Sequence, residues 1–587
     1  MQGIRSDPQS SHSTEKAKSS QISRDPQSLN EPLLMQMQRV QGNAYINRML
    51  DASNSPRIQR LNTSESYYYN TIAHVAEYEP AKANIKQTPE WRGFLSKLSI
   101  YAMFLNQGFN RAKIGEMKGH LKPVIEKAFD LRAYLSTNYP RDHDLQNMGF
   151  TATDDLQQET VSLDFLAGDL TLMDGALTWQ QALFYARAGV SPSAALGMGD
   201  LAPGTGTNEV GNPKTLGGGQ VSEVIALDFA TPTGGVEKKV FKPNEVNPSE
   251  SLSFDKFNTQ TAYRALAVSR VESLIAANLR AANKTYDSMM GDVQLAMYKG
   301  KQGTTAGFAA GSSEAMKSEM QNGRIVSQSY LNVDFNDISL QRQLANLQLF
   351  DMIVGQIDRH MGNVMVKQDG NSTKVTGIDN DFAFGTNRDT GSQGKTVMPT
   401  LIDKYFAMAI VGIHTDDFVE ALKGLRSDEI ASAVARLTDI QAQIQSKIND
   451  NLLITLPGDT TKGTGRDWSE VDSSEYSKYD YMGQMQQNYQ DAFKAVKKNP
   501  SLAPSQKDGK WVLDFDGGDL FMMSRTGDGS DLWDLVNAAR AEAQQEAEEK
   551  RVRDLRRARR FNPQGGPPPR PGNNPPPQPQ KWVRGEV

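Results

Sequence analysis

The sequence predicts an α+β protein of two lobes, a β-rich lobe with one helix and then a helical lobe, preceded by a helical accessory region and bounded by disordered ends. Three observations carry this. Between residues 221 and 243 two short β-branched runs, "VSEVIALDF" and "EKKVFKP", flank the turn "TPTGG", as a hairpin does. "FNTQTAYRALAVSRVESLIAANLRAA" then spaces its apolar residues three and four apart, which reads as a helix, and "DVQLAMYKG" returns to strand. Beyond residue 338 helical periodicity dominates: Leu340, Leu344, Leu347, Phe350 and Ile353 share one face, and "TLIDKYFAMAIVGI", "DDFVEALKGL" and "SDEIASAVARLTDIQAQIQSKI" give three more helical patterns.

In chain order, residues 1–30 are rich in Ser, Gln and Pro and bury too little apolar surface to offset chain entropy, so they are expected to be disordered. Residues 31–60 carry Leu34, Met37, Val40, Ile46, Met49 and Leu50 at the spacing of a short docking helix. Residues 61–195 form the helical accessory region, with "WRGFLSKLSIYAMFLNQGF", "LKPVIEKAFDLRAYL" and "TWQQALFYARAG" as its helices. A stretch dense in Gly, Pro, Ser and Asn (191–220) marks the boundary before the first lobe, expected over 196–290, and the second lobe, expected over 291–460. A C-terminal helical extension follows over 461–561, ending in a long helix from 530 to 561 with acids early and bases late, as the helix dipole favours. Nine prolines between 563 and 579 place a disordered tail at 562–587.

At 587 residues the chain exceeds the ~250–300 residues at which single cores stop growing, so several segments are expected. A net charge of -5 gives no whole-protein field for nucleic acid, and electrostatic recognition must be local. The absence of cysteine excludes disulfide frameworks, thiolate nucleophiles and cysteine-ligated zinc. Six scattered histidines make no HExxH pairing. The first thirty residues hold no apolar run of the Sec signal type, and no run approaches the ~20 apolar residues of a membrane helix.

The chemistry concentrates in two stretches, "GQIDRHMGNVMV" (355–366) and "VTGIDNDFAFG" (375–385). Phosphoryl transfer needs a base near the acceptor hydroxyl, oxygen ligands for Mg²⁺, and a cation on the ATP phosphates. Asp358 and Asn363 stand in D-x-x-x-x-N spacing, so one short loop supplies a carboxylate for the hydroxyl proton and an amide oxygen for metal. Asp379 follows a small hairpin in an apolar context as a second metal ligand. Upstream, Gly217, Gly218 and Gly219 of "LGGGQVSEVIAL" can lay backbone N–H groups over phosphates. Lys242 on the following strand is placed to reach the α and β phosphates, and Glu272 on the next helix is the candidate to orient it by an ion pair. His360 and Arg359 read as structural, the first packing or hydrogen-bonding within the loop and the second pairing with a nearby acid. "GSQGKT" (391–396) lacks the first glycine of a P-loop, and "DFDGGDLFMMSRTGDGSD" (514–531) lacks EF-hand spacing, so ordinary turn chemistry accounts for the latter.

"DRHMGN" paired with "GIDNDFAFG" resembles the phosphatidylinositol 3-/4-kinase-like branch of the protein-kinase fold, and "IDN.FAF" looks most like type II phosphatidylinositol 4-kinases and related actin-fragmin and bacterial effector kinases. The resemblance spans about residues 216 to 445 and implies a bilobal kinase fold using ATP and Mg²⁺, with Asp358 catalytic, Asn363 and Asp379 on metal and Lys242 on ATP. The glycine loop departs from G-x-G-x-x-G, and Asp381 is an acid where the lipid kinases often carry Gly, so it either joins the metal site or faces solvent. Separately, "QRVQGNAYINRML...IQR" resembles the leader of cargo toxins of bacterial contractile injection systems, which implies a secretion apparatus as partner and delivery from the bacterial cytoplasm into a target cell. The expected acceptor is a target-cell protein; a phosphoinositide, or a catalytically silent kinase-fold binding module, are the alternatives.

Overall fold

A computed structural model describes residues 80–193, 214–218, 223–230, 236–244, 261–298, 301–307, 312–321, 324–369, 372–385, 397–459 and 465–561. The expected disordered ends, the leader segment at 31–60 and Gly219 lie outside these residues. Four helices open the described chain: α1 (Pro89–Leu105), α2 (Ile114–Asn138), α3 (His143–Gly168) and α4 (Trp179–Arg187). Three of the four starts follow from local capping chemistry. Thr88 accepts from Trp91 N ahead of Pro89 at α1, Asp142 accepts from Leu145 N at α3, and Thr178 and Gln181 close a capping box at α4. Trp91, Phe94, Leu121, Leu145 and Trp179 belong to one buried cluster that also takes in Tyr263, Leu266 and Phe350, so this region packs onto the rest of the protein.

Across that junction Tyr263 Oη donates to Phe184 O (2.9 Å), and Arg187 bonds Asp155 (2.8 Å) and Gly424 O (2.9 Å). Glu159 on α3 sits beside this network with Oε2 shut from solvent and lacking a hydrogen-bond partner. Burial, with Asp155 adding to it, pushes the Glu159 carboxyl up to about 7 against the pull of Tyr101 and Arg187. Its contribution to stability is therefore complete below the ordinary carboxylate range and is lost as pH rises through about 7. Scanning calorimetry of Glu159→Gln is expected to show a higher unfolding temperature than the parent at pH 8 and none of that gain near pH 4.

The next part is an antiparallel sheet of five strands, β1 (Lys214–Gly218), β2 (Glu223–Ala230), β3 (Val236–Pro243), β4 (Val293–Tyr298) and β5 (Lys301–Gly307), in the order β1-β2-β3-β5-β4. Helix α5 (Thr261–Ala281) intervenes between β3 and β4 and packs on β4 and β5; Asn244 Oδ1 accepts from Ala262 N (3.0 Å) and so joins the end of β3 to the start of the helix. The sheet runs to Gly307, past the boundary expected at 290. The reason is compositional: "KQGTTAG" alternates no apolar residues and carries no strand signal of its own, yet its partners on both sides supply the pairing.

Strands β6 (Ser313–Glu314), β7 (Met316–Gln321) and β8 (Arg324–Leu331) precede α6 (Ile338–Val354), and the hairpin β9 (Val364–Asp369) and β10 (Ser372–Gly377) follows it. Gln343 on α6 pairs with β10 as a neighbouring strand would, giving Nε2 to Thr373 O (2.6 Å) and accepting from Val375 N (2.8 Å). Helices α7 (Lys404–Val411), α8 (Thr415–Ala421) and α9 (Ser427–Asn449) complete this part, in the segments where three helices were expected. The segment 291–460 is thus mixed rather than helical.

The C-terminal extension also departs from expectation. Between α10 (Tyr481–Lys498) and α11 (Ser530–Phe561) lie β11 (Ser505–Lys507), β12 (Lys510–Asp514) and β13 (Leu520–Met523), and β13 pairs in parallel with β8 to give the sheet β11-β12-β13-β8-β7. "LFMM" within the Gly- and Asp-rich stretch is this strand; Met522 packs with Ala492, Val496, Leu535 and Val536 in a separate cluster, while Phe521 and Met523 join the main core. Turn residues on either side hid it, because four residues give no readable period. The described residues are therefore helical up to α4 and mixed helix and strand from β1 onward, consistent with an α+β fold. Among the described residues no helix is long and apolar enough to cross a membrane.

Candidate active site

The site is built where α6 ends. Gly355 caps that helix in the left-handed region (φ 61°) with its N–H on Asp351 O, a conformation that favours glycine, and a Cβ there would lie 2.7 Å from the Arg436 guanidinium carbon. The turn delivers Asp358, whose carbonyl accepts from His360 N (3.0 Å) and from the Asn363 side-chain amide (2.8 Å). With Nδ2 so engaged, the Asn363 amide oxygen is the end left to face a ligand. His360 Nδ1 accepts from Gly362 N (3.0 Å), and burial lowers its pKa, so the ring acts as a neutral brace.

Arg359 holds these pieces together. It is buried, contacts Asp351 through two nitrogens (2.9 and 3.1 Å), and donates to Asn363 O (3.1 Å), to Ile378 O and to Asn380 Oδ1 (2.5 Å). Ile378 N donates to Asn363 O (2.9 Å), which fixes the segment before Asp379 against the loop after Asp358. Asp379 itself is left-handed (φ 61°, ψ 56°), an uncommon state for a side chain other than Gly, and Gln356 Nε2 bonds its carbonyl at 3.0 Å.

Lys242 arrives from β3. Its ammonium pairs with Asp379 and stands 2.8 Å from Asp381 Oδ2. That second contact lacks hydrogen-bond alignment: both Asp381 oxygens are buried without a hydrogen-bond partner. Burial alone would raise the Asp379 carboxyl, but Lys242, the neighbouring Asp381 carboxyl and Arg359 together outweigh it and hold the group down at about 2. Asp381 is driven the other way, first by burial and then by the charge of Asp379. Burial opposes the charge on Lys242, and Asp381 and Asp379 more than restore it. The Asp358 carboxyl is pushed up to about 6 by burial and by Asp379, with Arg359 and Lys242 pulling back.

The structure thus brings Lys242, Asp358, Asn363 and Asp379 to one place. Gly217 and Gly218 close β1; Gly217 pairs with Val224, one residue before the Ile225–Phe241 pair, so it stands about two strand spacings, roughly 10 Å, from Lys242 along one row of the sheet. Glu272 is not with them. Its carboxylate accepts from Tyr286 Oη (2.6 Å), Ser288 Oγ, Met289 N (2.6 Å) and Met290 N (2.9 Å), and the ion pairs of Lys242 are with Asp379 and Asp381 instead. Two adjacent buried N–H groups need a strong acceptor, and a carboxylate on α5 meets that need. Glu272 still touches the site indirectly, since Met289 O accepts from Gly377 N (2.7 Å), two residues before Asp379.

Sequence reasoning also missed Arg264. Fully buried on α5, it pairs with Glu429 of α9 and donates to Ala383 O (2.9 Å), four residues after Asp379. Its one signal was a charge amid Ala, Leu and Tyr. Gly303 was equally silent: a Cβ there would lie 2.2 Å from Lys242 O and 2.8 Å from the Phe241 ring. Gly303→Ala must displace β3 at the lysine, so it is expected to cost about 1–3 kcal/mol in urea unfolding, the range of overpacked substitutions, and to weaken nucleotide binding.

No protein-family model matches the chain, and no curated protein sequence matches it. Among solved structures the chain is similar to the open conformation of CtTel1 (9% identity, TM-score 0.24), covering 77% of this chain and 22% of that one. The FAT and kinase domain of CtTel1 gives 9% identity and a TM-score of 0.24 over 78% of this chain and 41% of that one. The complete CtTel1 dimer with C2 symmetry gives 9% and 0.24 over 77% and 22%. The chain spans well under half the length of each, and likeness at this level carries no functional weight, so the reading rests on the site.

Proposed function

We propose that the chain is an ATP- and Mg²⁺-dependent phosphotransferase to an alcohol group, with a bilobal protein-kinase-like arrangement in which β1–β5 with α5 form one lobe and α6–α9 with the β9–β10 hairpin the other. The observation that supports it most is the meeting of Lys242 from one part with Asp379, Asp358 and Asn363 from the other. Among the described residues no three acidic or imidazole groups already converge as a metal cage. A divalent cation nonetheless fits, because Asp379 and Asp381 crowd one lysine, and among the described residues the buried Asp381 carboxyl meets Lys242 and Asp379 alone.

In this reading Asn363 and Asp379 hold Mg²⁺, which would supply charge neutralisation on the transferring phosphate. Lys242 and the backbone of Gly217, Gly218 and Gly219 hold the ATP phosphates. Asp358 orients the acceptor hydroxyl and takes its proton; its raised pKa makes it a better base than an ordinary carboxylate. Arg359, Gln356 and His360 keep the two loops in register so that these groups need not reorganise.

The acceptor we favour is a target-cell protein, with the chain acting as a bacterial effector delivered through its leader segment. A phosphoinositide acceptor is the second reading, favoured by the last turns of α11, where Lys550, Arg551, Arg553, Arg556 and Arg557 stand exposed. Incubation with γ-labelled ATP and Mg²⁺ in eukaryotic lysate, divided into gel and lipid extract, tests both. Label in a protein band supports the first, label in lipid the second, and none in either contradicts the phosphotransferase.

A further inference from the structure

Lys242 is surrounded by more acid than it needs. One ammonium faces two carboxylates two residues apart, Asp379 and Asp381, with the charge of Asp358 also acting on it, while Glu272 is committed to Tyr286, Ser288 and two backbone N–H groups. Asp379 alone would satisfy an orienting partner. Asp381 adds a second carboxylate that is 2% exposed, touches Lys242 at 2.8 Å without hydrogen-bond alignment, and finds no donor elsewhere. Its backbone is pinned: it lies in the 3₁₀ turn Asn380–Phe382, with Asn380 held by Arg359 and Ala383 O held by Arg264. A pinned carboxyl buried against an ammonium that it shares with a second carboxylate costs stability, and a cation able to serve both acids would relieve it.

We propose that Asp381 is a further ligand for the divalent cation, and that Lys242 occupies the cation's place between Asp379 and Asp381 until metal and nucleotide arrive. The inference rests on the phosphotransferase reading and deepens it. Two carboxylates that both touch one ammonium converge on a single point, which one cation can occupy in the ammonium's place. Entry of the metal frees the ammonium, which then meets the phosphates. Lysine and metal therefore compete for the carboxylates in the absence of nucleotide and cooperate in its presence. A lysine-orienting role for Asp381 alone predicts no such competition.

Competition gives the test a readout independent of catalysis. Mn²⁺ alone, counted by electron paramagnetic resonance of the free ion, is titrated against the full-length chain and against Lys242→Met, Asp381→Asn and the double variant, with folding checked by circular dichroism. Lys242→Met is expected to tighten Mn²⁺ binding by about tenfold, because a neighbouring positive charge is gone. Asp381→Asn is expected to weaken it by at least about tenfold, as loss of a ligand would. In the double variant the gain from Lys242→Met should disappear, since the vacated space then has one carboxylate. Equal Mn²⁺ affinity in the parent and Asp381→Asn, or a full gain surviving in the double variant, would overturn the proposal. Binding of a fluorescent ATP analogue with Mg²⁺ is measured beside it: if the parent fails to bind nucleotide, the phosphotransferase reading falls, whereas normal nucleotide binding with unaltered Mn²⁺ affinity in Asp381→Asn removes only this inference.

Discussion

Asp358→Asn is expected to lower phosphoryl transfer by about 10²–10⁴-fold, the usual worth of a positioned general base, while leaving ATP binding and the fold intact. The amide keeps the side chain's size, and the loop does not depend on the carboxylate: Asp358 engages its neighbours through backbone, receiving His360 N and Asn363 Nδ2 on its carbonyl and giving its N–H to Gln356 Oε1 (3.2 Å). The carboxyl is instead a burden. Burial and the charge of Asp379 lift it to about 6, so the native state holds its proton to higher pH than the unfolded chain does. Its contribution to stability is present below the ordinary Asp range and lost as pH rises through about 6. Asp358→Asn should consequently raise the unfolding temperature at pH 7.5 while activity collapses, a trade of stability for function of the kind active sites show. Unchanged turnover in this variant would remove Asp358 from the mechanism.

Arg359→Leu is the substitution with the largest expected effect on folding. Removing the guanidinium leaves the fully buried Asp351 with Tyr481 as a hydrogen-bonding partner and strips a donor from Asn363 O, Ile378 O and Asn380 Oδ1. Breaking one side of a buried pair costs about 3–5 kcal/mol. Arg359→Lys should recover little, because a single ammonium cannot span the carboxylate and three separate acceptors that the planar fork reaches. Denaturant unfolding reads the loss, and nucleotide binding should weaken with it, since the arginine ties the Asp358 loop to the segment bearing Asp379. A charge-neutral pair, Arg359→Leu with Asp351→Leu, should regain part of the stability and none of the activity.

How much of this could be read from residues alone depends on how local the cause was. Asp358 and Asn363 share a loop of six residues, and Asp379 follows a hairpin whose strands pair residue for residue from Val364–Gly377 to Asp369–Ser372, so sequence spacing nearly dictates their proximity. The helix at 530–561 was legible for the same reason, its early acids and late bases lying within one segment. Glu272 was not. Its partner is chosen by the tertiary demand of two buried amides at 289 and 290, and nothing in "SRVESLIA" announces that demand. For Asp381 the sequence leaves two readings, a place in the metal site or an acid facing solvent, and its burial beside Lys242 removes the second. Strands β5 and β13 escaped notice because neighbouring strands, not their own composition, make them strands.

The central claim is that Lys242, Asp358, Asn363 and Asp379 line one magnesium–nucleotide pocket. A crystal structure of the full chain with Mn²⁺ and a non-hydrolysable ATP analogue tests it most directly, through the anomalous signal of the metal. The account predicts a Mn²⁺ peak at bonding distance from Asp379 and the Asn363 amide oxygen, with Lys242 turned to the phosphates and the terminal phosphate facing Asp358. Nucleotide lodged elsewhere, or a metal peak away from Asp379, would contradict it.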